Sequence, residues 1–92
     1  MRQIAMQARV TGRVQGVAFR AWTRARAETL GLSGWVRNNG DGSVSALFCG
    51  NEDAVETMIG ELWDGPGAAS VTDVQTEAAS HDAAHTGFRI LH

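Results

Sequence analysis

Apolar and polar residues alternate from Ile4 to Val10, a period of two that predicts a half-buried β-strand. The segment 19–30 contains neither Pro nor Gly, is rich in Ala and Arg, and is followed by Gly31, as is typical of a helix and its end. Gly12 and Gly16 interrupt the pattern between these elements. The chain is therefore predicted to open with a strand, a glycine-containing turn and a helix.

The rest of the pattern predicts two strands, a second helix and two further strands. The residues at 39–42 tolerate the positive φ angles of a tight turn, so the strands on either side should form an antiparallel hairpin. Asn51 is a good N-cap for the helix, and the segment 79–87 is expected to be a mobile loop. The predicted elements are strands at 35–38 and 44–49, a helix that begins at 51 and ends at 64–67, and strands at 71–76 and 88–90.

This order of elements predicts a ferredoxin-like α+β sandwich. Each helix should cross over between parallel strands, and the central hairpin makes the sheet mixed to antiparallel, with both helices on one face and a short extra strand at the C-terminus. The 92 residues fit one domain, 1–92, and hydrophobic residues at 43% and charged residues at 20% favour a chain that folds unaided. Because this fold carries enzymes, metabolite sensors and RNA-binding proteins, a site must decide the function.

Charge is distributed unevenly along the chain. Residues 1–42 hold seven Arg against two acids, a balance of +5, while residues 43–92 hold one Arg against eight acids, a balance of −7. A basic half with a net charge of −2 favours a small anionic partner over a nucleic acid. The sequence has no lysine, which excludes Schiff-base chemistry and a P-loop lysine.

The cysteine count and the start of the chain indicate the compartment. Cys49 is the one cysteine of the sequence, so the chain makes no internal disulfide, and a reducing, cytoplasmic setting is expected. Residues 1–10 carry neither a signal-peptide core nor an apolar span, so we expect neither secretion nor a membrane association.

The segment 12–20 leaves a strand, turns through two glycines and enters a helix at Arg20. Unpaired amides and the helix dipole make such a corner attractive to phosphate, and an Arg in the first turn adds a bidentate donor. The same residues are also compatible with an ordinary turn followed by a solvated arginine. The residues alone leave both interpretations open.

A second segment, 34–44, bears on the choice between these two interpretations. Together, the patterns V-x-G-x-V-Q-G-V-x-F-R at 10–20 and G-W-V-x-N-x-x-D-G-x-V at 34–44 closely resemble the paired signatures of the acylphosphatase family. The length and the element order resemble that family over nearly the whole chain. The resemblance implies hydrolysis of the carboxyl-phosphate bond of acyl phosphates, with water attacking phosphorus.

The resemblance also implies roles for particular residues. Arg20 would bind the phosphoryl group and Asn38 would position the attacking water, whereas Gly34, Asp41 and Gly42 resemble scaffold positions. The phosphate-binding loop implied by the resemblance consists of Gln15, Gly16, Val17, Ala18, Phe19 and Arg20.

These residues suit the hydrolysis of acyl phosphates that the resemblance implies. The leaving carboxylate has a low pKa, so no general acid is needed, and phosphoryl transfer asks the protein mainly for positioning and electrostatic stabilisation. The side-chain carbonyl of Asn38 can accept a hydrogen bond from water. Without the Arg20 loop, Asn38 would be interpreted as an ordinary turn asparagine. We expect no cofactor and no metal, and phosphate or sulfate should also bind.

Three features depart from the family pattern. Ala18 stands where a bulkier residue is frequent, Ser45 where an acid is frequent, and the chain ends at residues 90–92 without the usual aromatic. These departures affect the fit of the substrate and the closing strand, and they leave Arg20 and Asn38 in place.

Other candidate groups have less specific surroundings. Cys49 lacks the Arg six positions later that a cysteine phosphatase needs, so it is expected to be a small buried hydrophobe. The group His81, Asp82 and His85 is close enough in sequence for a metal but is expected to be solvated. Trp22 and Trp35 could stack on bases, although packing is the expected role.

The sequence therefore predicts a monomeric cytoplasmic acylphosphatase with no nucleic-acid or membrane partner. Two other functions remain open from the residues. The same loop could sense an anionic metabolite without turnover, or the basic half could bind RNA with a steep salt dependence.

Overall fold

A computed structural model describes residues 2–80 and 86–91. Five strands and two helices follow one another in the predicted order. They are β1 (Gln3–Arg13), α1 (Phe19–Thr29), β2 (Ser33–Asn38), β3 (Val44–Asn51), α2 (Glu52–Asp64), β4 (Ser70–Ala79) and β5 (Phe88–Leu91).

The five strands form one mixed sheet in the order β4-β1-β3-β2-β5. β1 pairs antiparallel with β3 and β4, β2 pairs antiparallel with β3 in the predicted hairpin, and β5 lies parallel to β2. α1 packs against β2 and β5, whereas α2 packs against β4, β1 and β3, and the two helices touch. The predicted ferredoxin-like α+β fold is confirmed.

The core lies between the helices and one face of the sheet. Alternation in β1 places Ala8 and Val10 in this core, opposite Ala46 and Val44 of β3. The helices contribute apolar side chains at helical spacing, and none of their charged residues is buried. The fully buried members from the helices are Phe19, Ala27, Val55, Met58 and Leu62.

Local interactions stabilise both helices and set their boundaries. Asn51 caps α2 by accepting a hydrogen bond from the Asp53 amide at 3.1 Å, as predicted. Arg24 and Glu28 form an i,i+4 ion pair on α1, with 3.7 Å between Nε and Oε1. α1 stops at Thr29, just short of the predicted end, because the chain turns there into the positive-φ Gly31.

β1 is longer than the alternation predicts. The alternation ends before Gly12, yet the strand continues to Arg13, with a bulge between Thr11 and Gly12 that shifts the register against β4. Gly12 has φ +123°, and a Cβ there would lie 2.2 Å from the carbonyl oxygen of Ser70. The bulge therefore requires a glycine and carries the chain on toward the next loop.

β4 also exceeds its predicted range of 71–76. Hydrogen bonding to β1 extends it to Ala79, which was expected to begin a mobile loop. The candidate metal group His81, Asp82 and His85 lies outside the described residues. Within the described ranges, no helix is long and apolar enough to cross a membrane.

Candidate active site

The loop between β1 and α1 reverses the chain with two left-handed residues. Val14 is buried and anchors its start, Gly16 has φ +74°, and Ala18 has φ +61° and ψ +24° immediately before α1. The first helical hydrogen bond runs from the Trp22 amide to the Ala18 carbonyl, at 3.0 Å. The amides of residues 19–21 therefore precede the hydrogen-bonded part of the helix and have no acceptor within it.

The N-terminus of α1 lacks the groups that usually satisfy it. Ala18 has no side chain that could accept a hydrogen bond, and the first turn contains no acidic residue but does contain Arg20. Helix N-termini carry a partial positive charge, which a capping oxygen or a carboxylate normally offsets. Here the positive end is reinforced, which makes it suited to an anionic ligand.

Arg20 and Asn38 line one cleft of about 230 Å³. Arg20 lies in the first turn of α1 and Asn38 is the last residue of β2, so a helix start and a strand end meet there. The cleft combines these polar groups with an apolar wall. Its lining residues are Val14, Gly16, Ala18, Phe19, Arg20, Ala21, Asn38 and Ile90.

Asn38 is held by the hairpin that follows it. The Asn39 amide donates to the Ser43 carbonyl at 2.8 Å, and the Gly42 amide donates to the Asn39 carbonyl at 3.2 Å. The side-chain amide of Asn39 donates to the hydroxyls of Ser43 at 2.9 Å and Ser45 at 2.7 Å. Ser45, one of the departures from the family pattern, thus fixes the residue next to Asn38.

Asp41 holds the tip of the same hairpin. Its carboxylate accepts hydrogen bonds from the Ser43 hydroxyl at 2.6 Å and the Ser43 amide at 3.0 Å, and it pairs with Arg9 of β1. These hydrogen bonds from Ser43, and to a smaller extent Arg9, lower the pKa of Asp41 from 3.8 to about 2. Asp41 therefore shapes the turn outside the cleft, which fits its expected scaffold position.

Gly34 lies at a close approach of β2 and β3. It has φ +137°, and a Cβ there would lie 1.8 Å from the carbonyl oxygen of Leu47. No side chain fits this space, so a glycine is needed for the two strands to pair and for β2 to deliver Asn38 to the cleft. The family resemblance implies a scaffold role for Gly34 but gives no reason for it, since this contact depends on the register of β2 against β3.

Gln15 and Val17 differ from the other residues of the predicted phosphate loop, because they are not among the residues that line the cleft. Val17 is half-buried and packs against the core. The Gln15 side chain turns to the hairpin, where its Nε2 donates to the carbonyl oxygens of Asn39 at 2.8 Å and Ser43 at 2.9 Å. These long-range bonds were not predicted from the sequence.

The remaining candidates lie apart from the cleft. Cys49 is buried in β3 with 2% exposure, as predicted. Trp22 packs against the core and contacts Phe19 with ring centroids 5.5 Å apart, and Trp35 is half-buried beneath the Arg37 guanidinium. Among the residues that the structure describes, no group of three or more His, Cys, Asp or Glu could hold a metal ion.

The fold and the cleft define a small ferredoxin-like protein with an arginine and an asparagine gathered at a helix N-terminus. The chain matches the family model described as Acylphosphatase over residues 6–90. An acylphosphatase of Rhizobium meliloti (strain 1021) is 60% identical over 82 residues, which cover 89% of this chain and 86% of that protein. The chain therefore belongs to the acylphosphatase family, as its two motifs predicted.

Solved structures agree with this assignment. The structure of an acylphosphatase from Coxiella burnetii has a TM-score of 0.93 and 36% sequence identity, and the match covers 97% of this chain and 93% of that one. The structure of an acylphosphatase from Bacillus subtilis also has a TM-score of 0.93, with 32% identity over 97% of this chain and 99% of that one. This chain is an acylphosphatase, a hydrolase that acts on small-molecule acyl phosphates.

Proposed function

We propose that the protein hydrolyses acyl phosphates by direct attack of water on phosphorus, with Arg20 holding the phosphoryl group and Asn38 orienting the water. The observation that carries this proposal is that both side chains line the same cleft at the N-terminus of α1. In-line attack needs a donor set on the phosphoryl oxygens and a separate group that places the water. The cleft offers Arg20 and the nearby amides for the phosphoryl oxygens and Asn38 for the water.

The phosphoryl group would be bound by charge and by amides. The Arg20 guanidinium can donate two parallel hydrogen bonds, and the amides of residues 19–21 can donate to the remaining oxygens. Hydrogen bonds to charged groups contribute about 1.5–3 kcal/mol each. Because these donors are fixed by the loop and the helix, they can stabilise the transition state without reorganising. Phosphate and sulfate would occupy the same position.

The reaction needs little acid–base chemistry from the protein. The leaving carboxylate has a pKa near that of an Asp or Glu side chain, so it departs without being protonated. The side-chain carbonyl of Asn38 can accept a hydrogen bond from the attacking water, which directs an oxygen lone pair toward phosphorus. Asn38 thus acts as an orienting group rather than as a strong base. This mechanism requires neither a metal nor a cofactor.

The acyl group would lie on the apolar wall of the cleft. Ala18 and Ala21 are exposed and Ile90 is half-exposed, so all three are accessible from the cleft. The wall has no charged side chain apart from Arg20. An apolar acyl group, such as a benzoyl group, suits this surface better than a charged one.

We also propose that one copy of the chain, folded as a single domain, is sufficient for activity in the cytoplasm. In support, Arg20, Asn38 and residues 19–21, whose amides are proposed to bind phosphate, all line one cleft of one chain. Light scattering during size-exclusion chromatography should give the mass of a monomer. A stable dimer with twice that mass would contradict this part of the proposal.

Isotope labelling tests the position of attack. Benzoyl phosphate should be hydrolysed by the purified protein in ¹⁸O-water, and the products analysed by mass spectrometry. Attack on phosphorus places the label in inorganic phosphate, whereas label in benzoate would show attack on the acyl carbon and would refute the proposed mechanism. The rate should be the same in excess chelator, and a loss that added metal restores would refute the metal-free chemistry.

A further inference from the structure

The side chain of Gln15 bridges two parts of the active site. Its Nε2 donates to the carbonyl oxygens of Asn39 and Ser43, at 2.8 and 2.9 Å. Both partners can only accept hydrogen bonds, so the NH₂ end of the amide must face them. These two carbonyls also close the hairpin turn, since they accept hydrogen bonds from the Gly42 and Asn39 amides.

The Gln15 side chain links the segment proposed to bind phosphate with the segment proposed to place the water. Gln15 lies immediately before Gly16, in the loop that leads to Arg20, and Asn39 directly follows Asn38. On the basis of the proposed function, we propose that Gln15 is a positioning residue that fixes the distance between the phosphate-binding loop and Asn38. Bound phosphate and the oriented water are thereby held in line.

The hydrogen bonds of Gln15 exclude its side chain as a phosphate ligand. An amide NH₂ group has two donor hydrogens, and the two carbonyl oxygens use both. The remaining Oε1 is an acceptor, as are the oxygens of phosphate, so the side chain has no donor left for the substrate. Its effect on the reaction must therefore pass through the hairpin. Displacement of a reacting group by about 1 Å can lower a rate by roughly 100-fold.

Replacement of Gln15 by methionine tests this role, since methionine has a similar length and no donor. In Gln15→Met we expect kcat for benzoyl phosphate to fall by tenfold or more, with the inhibition constant of inorganic phosphate changed less than twofold. Gln3→Met is the matched control because Gln3 is exposed at the opposite end of β1, and its kcat should equal that of wild type. Thermal unfolding must show both variants folded at the assay temperature.

A double-mutant cycle separates positioning through Asn38 from a general structural effect. If Gln15 acts by placing Asn38, then Gln15→Met should lower kcat much less in an Asn38→Ala background than in wild type. Fully additive losses would overturn the inference, as would a phosphate inhibition constant that rises in Gln15→Met while kcat stays constant. If Asn38→Ala alone leaves kcat unchanged, the proposed function fails and the Gln15 inference with it.

A second variant keeps the test decisive if Gln15→Met does not fold. Gln15→Glu preserves the shape but, when ionised, directs an acceptor at two carbonyl oxygens. We expect a low kcat at neutral pH and partial recovery at lower pH, where the introduced carboxyl regains one O–H donor. A kcat equal to that of wild type at every pH would overturn the inference. So would a reduced kcat whose ratio to wild type does not change with pH.

Discussion

Arg20 in the first turn of α1 and Asn38 at the last position of β2 face one cleft, although a helix and most of a strand separate them in the chain. Arg20 directly follows a glycine-containing loop and Asn38 directly precedes a hairpin turn, so two independent pieces of backbone must agree in position. The consequences can be measured separately for each residue, because one is assigned to phosphate and the other to water.

Asn38→Ala should lower kcat by roughly 100-fold with little change in KM. The side chain is proposed to orient the attacking water, an effect that appears mainly in the transition state. Steady-state kinetics with benzoyl phosphate measure both constants. Asn51→Ala is a useful control, since Asn51 caps α2 at the opposite end of β3 and its loss should reduce stability without reducing kcat. An Asn38→Ala variant altered only in KM would contradict the assigned role.

Arg20→Ala should weaken inhibition by inorganic phosphate and slow turnover. Removal of a charge-assisted hydrogen-bond donor worth about 1.5–3 kcal/mol corresponds to an inhibition constant raised on the order of 10- to 100-fold. Arg24→Ala provides the matched control on the same helix, because Arg24 is exposed and pairs with Glu28 outside the cleft. If phosphate inhibits both variants equally well, Arg20 does not bind the phosphoryl group.

Ile90→Ala should reduce kcat/KM for benzoyl phosphate by about tenfold and for acetyl phosphate by much less. Ile90 lines the apolar side of the cleft, and loss of apolar contact in a pocket costs about 1–3 kcal/mol only where the substrate reaches it. Ile59→Ala, on α2 away from this cleft, serves as the control for general loss of packing. Equal losses for the two substrates would show that the acyl group does not touch Ile90.

The hairpin that holds Asn38 should weaken in acid through Asp41. The pKa of Asp41 is lowered to about 2 in the folded protein, from an ordinary 3.8. Its stabilising contribution is therefore fully present above pH 4 and is lost as the pH falls toward 2. Urea unfolding between pH 5 and 2 should show a smaller acid-induced loss of stability in Asp41→Asn than in wild type.

Variants of the Asp41 partners can separate the causes of this shift. The hydrogen bonds from Ser43 contribute more than Arg9, so Arg9→Met should keep most of the pH dependence and Ser43→Ala should remove more of it. The opposite ranking would show that the ion pair dominates. If the free energy of unfolding depends on pH in the same way in wild type and in Asp41→Asn, the lowered pKa of Asp41 is refuted.

Two glycine substitutions should have opposite effects on stability. Gly34→Ala forces a Cβ to within 1.8 Å of the Leu47 carbonyl oxygen, at a backbone conformation that alanine disfavours, and should cost more than about 3 kcal/mol. Gly60→Ala lies in the middle of α2 with no neighbouring atom in reach and should add about 0.5–1 kcal/mol. Denaturant unfolding measures both, and a tolerated Gly34→Ala would refute the close approach.

Local patterns were sufficient to predict the order and type of the elements. Alternation and helical spacing located β1 and α2, and the Asn51 cap formed as expected. The ends were less predictable, because β1 passes Gly12 through a bulge that depends on its register with β4. The residues that β1 adds by pairing with β4 from Gly12 onward have no alternation of apolar and polar positions that would predict a strand.

The active site also has a part that the sequence predicts and a part that only the folded structure shows. The motifs pointed to Arg20 and Asn38, and the fold brings both to one cleft. The bonds from Gln15 to the carbonyls of Asn39 and Ser43 could not be predicted, since their spacing along the chain follows no helical or strand period. Backbone carbonyls are present at every residue, and only the folded geometry selects which ones a side chain reaches.

Ala18 adopts a left-handed conformation that glycine would reach more easily. Such a residue costs about 1–2 kcal/mol in the folded state, although an alanine also has fewer unfolded conformations to lose than a glycine. The bend that exposes the amides of α1 is thus imposed once, when the chain folds. In the proposed mechanism each incoming substrate would meet amides that this bend has already placed, so the ordering of the loop would not be repeated at every turnover.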